Sequence, residues 1–460
     1  MLSQVFKAYD VRAVYPAPLN EDLGWRIGLA TAQWLRAKPG VSAASKVVVS
    51  RDHRPAAPGM AEALIKGLRA GGLNVVDLGR CDTSIQYFAV PHFNAAGGVQ
   101  CTASHNPIKY IGYKFSGAGA VPVGRDTGLK EIQALAEKIT DAACPPPTGT
   151  YETADVWALY RAHILKFMGE LPRKVRVFVD ASNGCGTTLL EKVFANVPNL
   201  EVVSINTAWT DQWAHEPNPL VAENMVPTQN GVRAGGFDLG ACFDGDADRC
   251  MLTDETGATI GCDHLTAALA GHFIKLNPGA GIVFDLRSSK AAEEAVVAAG
   301  GAAHISAVGH VNLKKLLRDT HSVFGGELSG HFYFRDNSFA DSGAITLAVA
   351  VGIISRSGQK LSSYINPHRK YPQSGEINFT CEDKAGVIAA LKKDYASQGK
   401  LFELDGLSID AWDKAGFWFN VRASNTEPVL RLNAEAKTAE GLAALLAALK
   451  PRLGHEAHGH

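Results

Sequence analysis

The sequence predicts an α/β protein in which three topologically similar mixed α/β domains are followed by a C-terminal α+β domain. Three observations predict it. Three segments repeat one plan: an apolar β-rich run ending in Asp, a polar or glycine-containing loop, a helix-like stretch and a second apolar run. Beyond YINPHRKYPQSG that plan gives way to alternating strands. The length, 460 residues, exceeds one core at roughly 100–200 residues per domain.

The first repeat opens with KVVVSRDHRP, continues through the helical MAEALIKGLRAGG and returns in LNVVDLG. The second is VRVFVDASNGCG, TTLLEKVFANV and LEVVSIN, and the third is GIVFDLRSSK, AAEEAVVAAGG and AHISAVG. Strands alternating with helices imply parallel sheet covered on both faces, with ligands at the carboxyl ends of the strands. Punctuation places the breaks at CPPPTGT (Cys144–Thr150), between Asp254 and Gly261, and at YINPHRKYPQSG. The expected domains are residues 1–150, 151–256, 257–367 and 368–460. In the last, GEINFTCED, LSIDAWD, AGFWFNVRAS and PVLRLNAEA alternate as antiparallel strands, with helices at Lys384–Ala396 and Ala439–Leu449. The tail GHEAHGH is expected to be disordered, its histidines solvated.

Charged residues make up 20% of the chain and the formal net charge is -1, with no long basic run. That balance disfavours nucleic acid or an anionic membrane as the main partner and favours a small molecule. The N-terminal MLSQVFKAYDVRAVYP breaks its apolar residues with Gln4, Lys7, Asp10 and Arg12, unlike a signal peptide. The longest apolar run, Ala344–Ile354, falls well short of the roughly 20 residues that span a bilayer and reads as a buried helix. Eight cysteines are scattered without CxxC spacing, as expected of reduced, mostly buried thiols in a cytoplasmic enzyme.

The densest carboxylate motif is FDGDADRC, in which Asp244, Asp246 and Asp248 alternate with Gly245 and Ala247 after the strand-like LGACF. Three hard oxygen ligands at that spacing suit Mg²⁺ or Ca²⁺. With Glu255 they also fall on ligand positions of an EF-hand, but Arg249 stands where its sharp turn wants Gly, and the flanks read as strands. Mg²⁺ usually completes its shell with phosphate oxygens.

That missing ligand bears on Ser104 in VQCTASHNPIKYIGYK. Three readings compete there: a polar turn, a hydrolase serine activated by His105, and a serine that carries a phosphoryl group. The hydrolase reading lacks its G-x-S-x-G elbow, here and elsewhere in the chain. In VRASNTEPVLR, Arg422, Ser424, Asn425 and Thr426 offer a guanidinium fork, two hydroxyls and an amide, groups that bind phosphate and that also make ordinary turns. In FGGELSGHFYF, Glu327, Ser329 and His331 sit among glycines that let backbone approach a ligand, a carboxylate and hydroxyl able to read sugar hydroxyls.

TASHNP, DGDADR, GELSGH and RASNTEP, in this order and spacing, resemble the four active-site loops of the α-D-phosphohexomutase superfamily, and most of all its bacterial phosphomannomutase/phosphoglucomutase branch. The resemblance runs from KAYDVRAVYP to the last domain; Val11 and Ala13 depart from the usual KAYDIRG. It implies four domains around a central active-site cleft, one loop from each. It also implies a phosphoserine at Ser104, Mg²⁺ held by Ser104, Asp244, Asp246 and Asp248, and glucose 1,6-bisphosphate as activator.

The implied reaction isomerises hexose 1- and 6-phosphates of glucose and mannose through a 1,6-bisphosphate, in a monomer. Arg249 would neutralise charge on the phosphoryl group, Glu327 and Ser329 would hold ring hydroxyls, and the Arg422 loop the second phosphate. For proton transfer, Lys114 is favoured because a lysine titrates when desolvated, with Arg12 and His331 as helpers and His105 positioning. Tyr9, Arg287 and His310 match substrate-contacting positions, although relatives often carry Lys at the Arg287 position. Glucosamine-specific relatives usually show GEQSGH and RPSGTEP, which Leu328 and Ala423–Asn425 do not match. A metal-dependent phosphatase and a sugar-phosphate-binding regulator remain as alternatives: the first would release inorganic phosphate, the second would leave Ser104 unmodified.

Overall fold

The apolar runs read from the sequence are the buried centres of four sheets. The computed structural model describes residues 2–140, 145–424 and 429–457, so Asn425 and Thr426 of the second phosphate loop lie outside the described residues. The chain divides into two compact units, residues 1–260 with 329–364, and residues 261–328 with 365–460.

In the first unit the strand Lys46–Arg51 runs parallel to Asn74–Arg80 on one side and to Gly97–Cys101 on the other. The antiparallel Tyr110–Gly117 and Val11–Val14 extend that sheet, pairing Gln100 with Lys114 and Arg12 with Gly112. A second sheet sets Val175–Asp180 parallel to Leu200–Ile205 and Leu239–Phe243, and Leu239–Phe243 turns back as a hairpin into Cys250–Asp254. The repeats thus build parallel pairs as expected, but each of these two sheets also has an antiparallel strand. Short connections explain this: the loops after Cys101 and Phe243 are too brief for the crossover that a parallel strand needs.

Helices cover the sheets for reasons written locally. Glu21–Arg36 starts at Asn20, whose side chain accepts from the Leu23 amide, and carries Glu21 and Asp22 in its first turn. It meets Ala57–Ala70 at backbone contact: a Cβ on Gly28 would lie 2.2 Å from the Leu64 carbonyl, and one on Gly67 2.1 Å from that of Trp25. Thr83–His92 starts at Asp82, which accepts from the Ile85 amide. Gly343–Ser357 is buried through almost its whole length, as its composition requires.

In the second unit Gly281–Asp285 lies between parallel Ala302–Ser306 and Phe324–Gly326. The C-terminal sheet is antiparallel, ordered Lys400–Phe402, Leu407–Asp410, Phe417–Ala423, Val429–Ala436, Gln373–Thr380 and His455–Ala457. Helices Lys384–Tyr395 and Ala439–Leu453 pack over a core that includes Phe379, Leu391, Phe419, Leu432 and Leu449. One expectation is corrected here. Residues 455–457 of the tail form a strand against Asn378–Thr380, because that edge of the sheet offers unpaired backbone groups.

Candidate active site

The loop after strand Gly97–Cys101 is held from below by one buried arginine. Arg54 donates from Nε to Asp52 (3.0 Å), from Nη1 to the carbonyls of Pro107 (2.7 Å) and Tyr110 (3.1 Å), and from Nη2 to those of Ser104 and Asn106 (both 2.7 Å). Asp52 in turn accepts from Thr102 Oγ1 (2.7 Å), and Thr102 Oγ1 accepts from the Ser104 amide (2.8 Å). This scaffold keeps Ser104 in a left-handed conformation, φ 51°, which a serine adopts only where its surroundings impose it. Ser104 is 3% exposed, packed rather than displayed on an open loop.

The aspartates occupy the hairpin loop between Leu239–Phe243 and Cys250–Asp254, confirming strands where an EF-hand would need helices. A solvated acidic turn is ruled out by burial, since Asp244, Asp246 and Asp248 are at most 1% exposed. Ala247 takes φ 56°, folding the loop back on itself. Gly245 lets it approach the serine loop, for a Cβ there would lie 2.5 Å from the Ser104 carbonyl oxygen.

Ser104 Oγ donates to Asp244 Oδ2 at 3.2 Å and lies 3.3 Å from His105 Nδ1. Arg249 Nε donates to Asp244 Oδ2 (2.9 Å), and its Nη1 to the Ser329 carbonyl (3.3 Å). Lys114 Nζ donates to Asp246 Oδ2 (2.7 Å) and also to Asp248. Thr83 Oγ1 donates to Asp246 Oδ2 (2.5 Å). His331 Nε2 stands 3.5 Å from Asp248 Oδ1, while its Nδ1 meets Ser329 Oγ at 2.9 Å. Arg12 bonds Asn106 and Asp10 beside the serine loop, and half-buried Tyr9 precedes it.

One oxygen each from Asp244, Asp246 and Asp248 fall within 4.8 Å of one another. Asp246 Oδ1 is buried without a hydrogen-bond partner, and the contact nearest Asp248 Oδ1 is the long one from His331. Buried carboxylate oxygens are seldom left so, and a convergent all-oxygen set of this kind fits a hard divalent cation such as Mg²⁺. Burial, together with the neighbouring Asp248 and Asp246, pushes Asp244 up to about 7, against the pull of Arg249 and Lys114. Burial and the charges of Arg249, Arg12 and Lys114 hold His105 well below the usual imidazole range, so its ring is neutral.

Lys114 is subject to two opposing effects. Burial does lower its tendency to hold a proton, but Asp246 and Asp248 outweigh burial and raise its pKa well above the usual lysine value. While it is bonded to these two carboxylates, Lys114 is an ammonium donor. For His331 burial is likewise outweighed, and Asp248 and Asp341 raise its pKa.

Arg287, His310, Glu327, Arg422 and Ser424 belong to the second unit, whereas Ser329 and His331 of the same sequence motif belong to the first. Glu327 is buried, accepts from the Gly309 amide (3.0 Å) and lies 3.7 Å from Arg287 Nη2. His310 begins the helix His310–Asp319 directly after that amide. Asp285 clamps Arg287 through Nε (3.0 Å) and Nη2 (3.1 Å). The Ser424 amide donates to the Val429 carbonyl (2.9 Å), closing the arginine loop.

Models of the phosphoglucomutase/phosphomannomutase α/β/α domains I, II and III match residues 3–143, 158–257 and 262–371, and the model of the C-terminal domain matches residues 376–451. The chain belongs to the phosphoglucomutase/phosphomannomutase family. Among relatives, "Phosphohexose mutases" of Xanthomonas campestris pv. campestris is 38% identical over 451 residues, 97% of each chain. "Phosphomannomutase" of Salmonella montevideo is 35% identical over 446 residues, 94% of each. A solved family protein from Burkholderia thailandensis superposes with a TM-score of 0.88 at 30% identity, covering 98% of this chain and 97% of its own. Family membership agrees with the three α/β domains and C-terminal domain read from the sequence.

Sequence reading missed Arg54, Asp52, Thr102 and Thr83. The run RDHRP and the dipeptide Asp82–Thr83 were visible, but a lone Arg or Thr carries no spacing signal, and each acts on residues distant in the chain.

Proposed function

We propose that this chain interconverts hexose 1-phosphates and hexose 6-phosphates, with glucose and mannose phosphates as substrates and Ser104 as the phosphoryl carrier. The observation that supports it most is Ser104 Oγ 3.2 Å from Asp244, beside buried carboxylates of which Asp246 has an oxygen without a hydrogen-bond partner. The free thiols of the described residues support a cytoplasmic setting.

Phosphoryl transfer demands in-line positioning and neutralised charge more than covalent help from protein. Arg249 supplies fixed positive charge at Asp244, which Ser104 also bonds, and the ammonium of Lys114 supplies it at Asp246 and Asp248. Neutral His105 orients the Ser104 side chain. Asp244, Asp246 and Asp248, with the phosphate on Ser104, would hold Mg²⁺. Bound there, Mg²⁺ would neutralise charge on the transferring group. Glu327 and Ser329 recognise the ring hydroxyls, and Arg422 with Ser424 the phosphate that does not react. Tyr9, Arg12, Arg287, His310 and, by resemblance, Asn425 and Thr426 complete the substrate contacts. Glucose 1,6-bisphosphate would restore the phosphate on Ser104 whenever it is lost.

Ser104→Ala should lower mutase turnover of glucose 1-phosphate by ~1,000-fold or more even with glucose 1,6-bisphosphate present. Intact mass should show one phosphoryl group on the wild-type protein and none on the variant. Near-wild-type turnover of the variant would overturn the assignment.

A further inference from the structure

In the second unit three guanidinium groups converge on a single carboxylate. Arg422 Nη2 lies 2.8 Å from Glu376 Oε2, Arg287 Nη1 3.3 Å from the same oxygen, and Arg431 Nη1 3.2 Å from Oε1. Arg422 and Arg431 are direct cross-strand partners, two like charges side by side that repel unless an anion sits between them. Glu376 supplies that anion from the neighbouring strand Gln373–Thr380. The register of that strand shifts between Gln373 and Glu376, where Gly375 takes φ +65°, and a bulge of this kind re-aims the side chain that follows it.

A carboxylate gripped by several guanidinium forks has the charge and the donor geometry of a bound phosphate face. Burial opposes ionisation of Glu376, but Arg422 and Arg287 outweigh it and hold the carboxyl below its usual range. The Glu376 side chain is 26% exposed, close to the 24% of Arg431 and well above the 6% of Arg422 and 9% of Arg287. The carboxylate is thus more open to solvent than Arg422 and Arg287, and a phosphate reaching those two guanidinium groups would have to replace it.

We infer that Glu376 is a built-in competitor for the substrate's phosphate, occupying the arginine cradle until a hexose phosphate displaces it. The inference rests on the reading of Arg422 as phosphate anchor and goes beyond it by naming what the phosphate competes with. A dianion draws three guanidinium groups more strongly than a monoanion does, so displacement is favourable but incomplete in its gain. The resulting hold is loose. An intermediate carrying two phosphates, each of which must in turn occupy the cradle, needs such a hold to let go and turn round.

The test is calorimetric titration of Ser104→Ala protein with glucose 1-phosphate and, separately, with inorganic phosphate, so that no turnover intrudes. Adding Glu376→Gln keeps the volume and one acceptor but removes the charge; both dissociation constants should fall roughly fivefold, the scale of one partly exposed charge interaction. Glu376→Ala should tighten binding in the same sense and serves if the amide disturbs the strand. Unchanged or weaker binding in both variants overturns the inference and leaves Glu376 only holding the arginines in place. Arg422→Ala, measured alongside, should weaken glucose 1-phosphate binding about tenfold or more. If it does not, the anchor reading itself fails, whatever the Glu376 variants do.

Discussion

All five guanidinium donors of Arg54 are engaged, one on Asp52 and four on carbonyls of the serine loop. A lysine offers three donors and no planar fork. Arg54→Lys should therefore leave buried carbonyls unpaired, at roughly 1–3 kcal/mol each, and let Ser104 drift. The expected outcome is a lower melting temperature and a kcat reduced about 100-fold, with the Kd for inorganic phosphate unchanged because the arginine cradle is untouched. Equal kcat would show that the serine loop keeps its shape without Arg54. At this scale the site was legible where its residues are contiguous, as in DGDADR, and illegible where one residue acts across the fold. Lys114 shows a second limit. Its burial could be anticipated, but the sign of its shift depends on Asp246 and Asp248, which lie 132 and 134 residues away in sequence.

Among the elements, the helix Thr83–His92 joins capping to chemistry. Its cap, Asp82, is fully buried, with one oxygen bonded to the Ile85 amide (3.2 Å) and the Tyr160 hydroxyl (2.9 Å) and the other unpartnered. Burial pushes Asp82 up to about 7, against the pull of Tyr160 and nearby amides. The unfolded chain gives up that proton near its ordinary value of 3.8, while the fold retains it to about 7. The folded state thus binds more protons in between, so this group favours folding at low pH and loses that contribution as pH rises from about 4 to 7. Asp82→Asn keeps a capping oxygen and cannot ionise. Thermal melts should show its stability relative to wild type increasing across that window; a constant difference would mean that Asp82 does not titrate there. The repeated strand–loop–helix plan was legible because periodicity and glycine punctuation are local. The strand His455–Ala457 was not, since its short polar sequence pairs only because another strand offers an edge.

For the whole molecule, the chain divides into two compact units, and the segment 257–367 contributes residues to both. The carboxylate cluster lies wholly in the first unit and the arginine cradle wholly in the second. A cation that binds only the folded first unit stabilises it by mass action, about 2.7 kcal/mol at 100 times its dissociation constant. Calorimetric scans should therefore show Mg²⁺ raising the transition of the first unit. Asp246→Asn should abolish most of that rise by removing an anionic ligand, with affinity falling about tenfold or more. A Mg²⁺ effect that survives the substitution would place the ion elsewhere.

The contact of Gly245 with the Ser104 carbonyl carries a temporal consequence. Ser104 and Asp244 stand 140 residues apart in sequence, so their meeting closes a long loop whose entropy must be lost before any binding energy returns. During refolding from denaturant, helical circular dichroism should recover first and catalytic activity should lag behind it. A newly made chain would pass through an interval in which it is largely structured yet inert, its acidic hairpin still waiting for the serine that completes it.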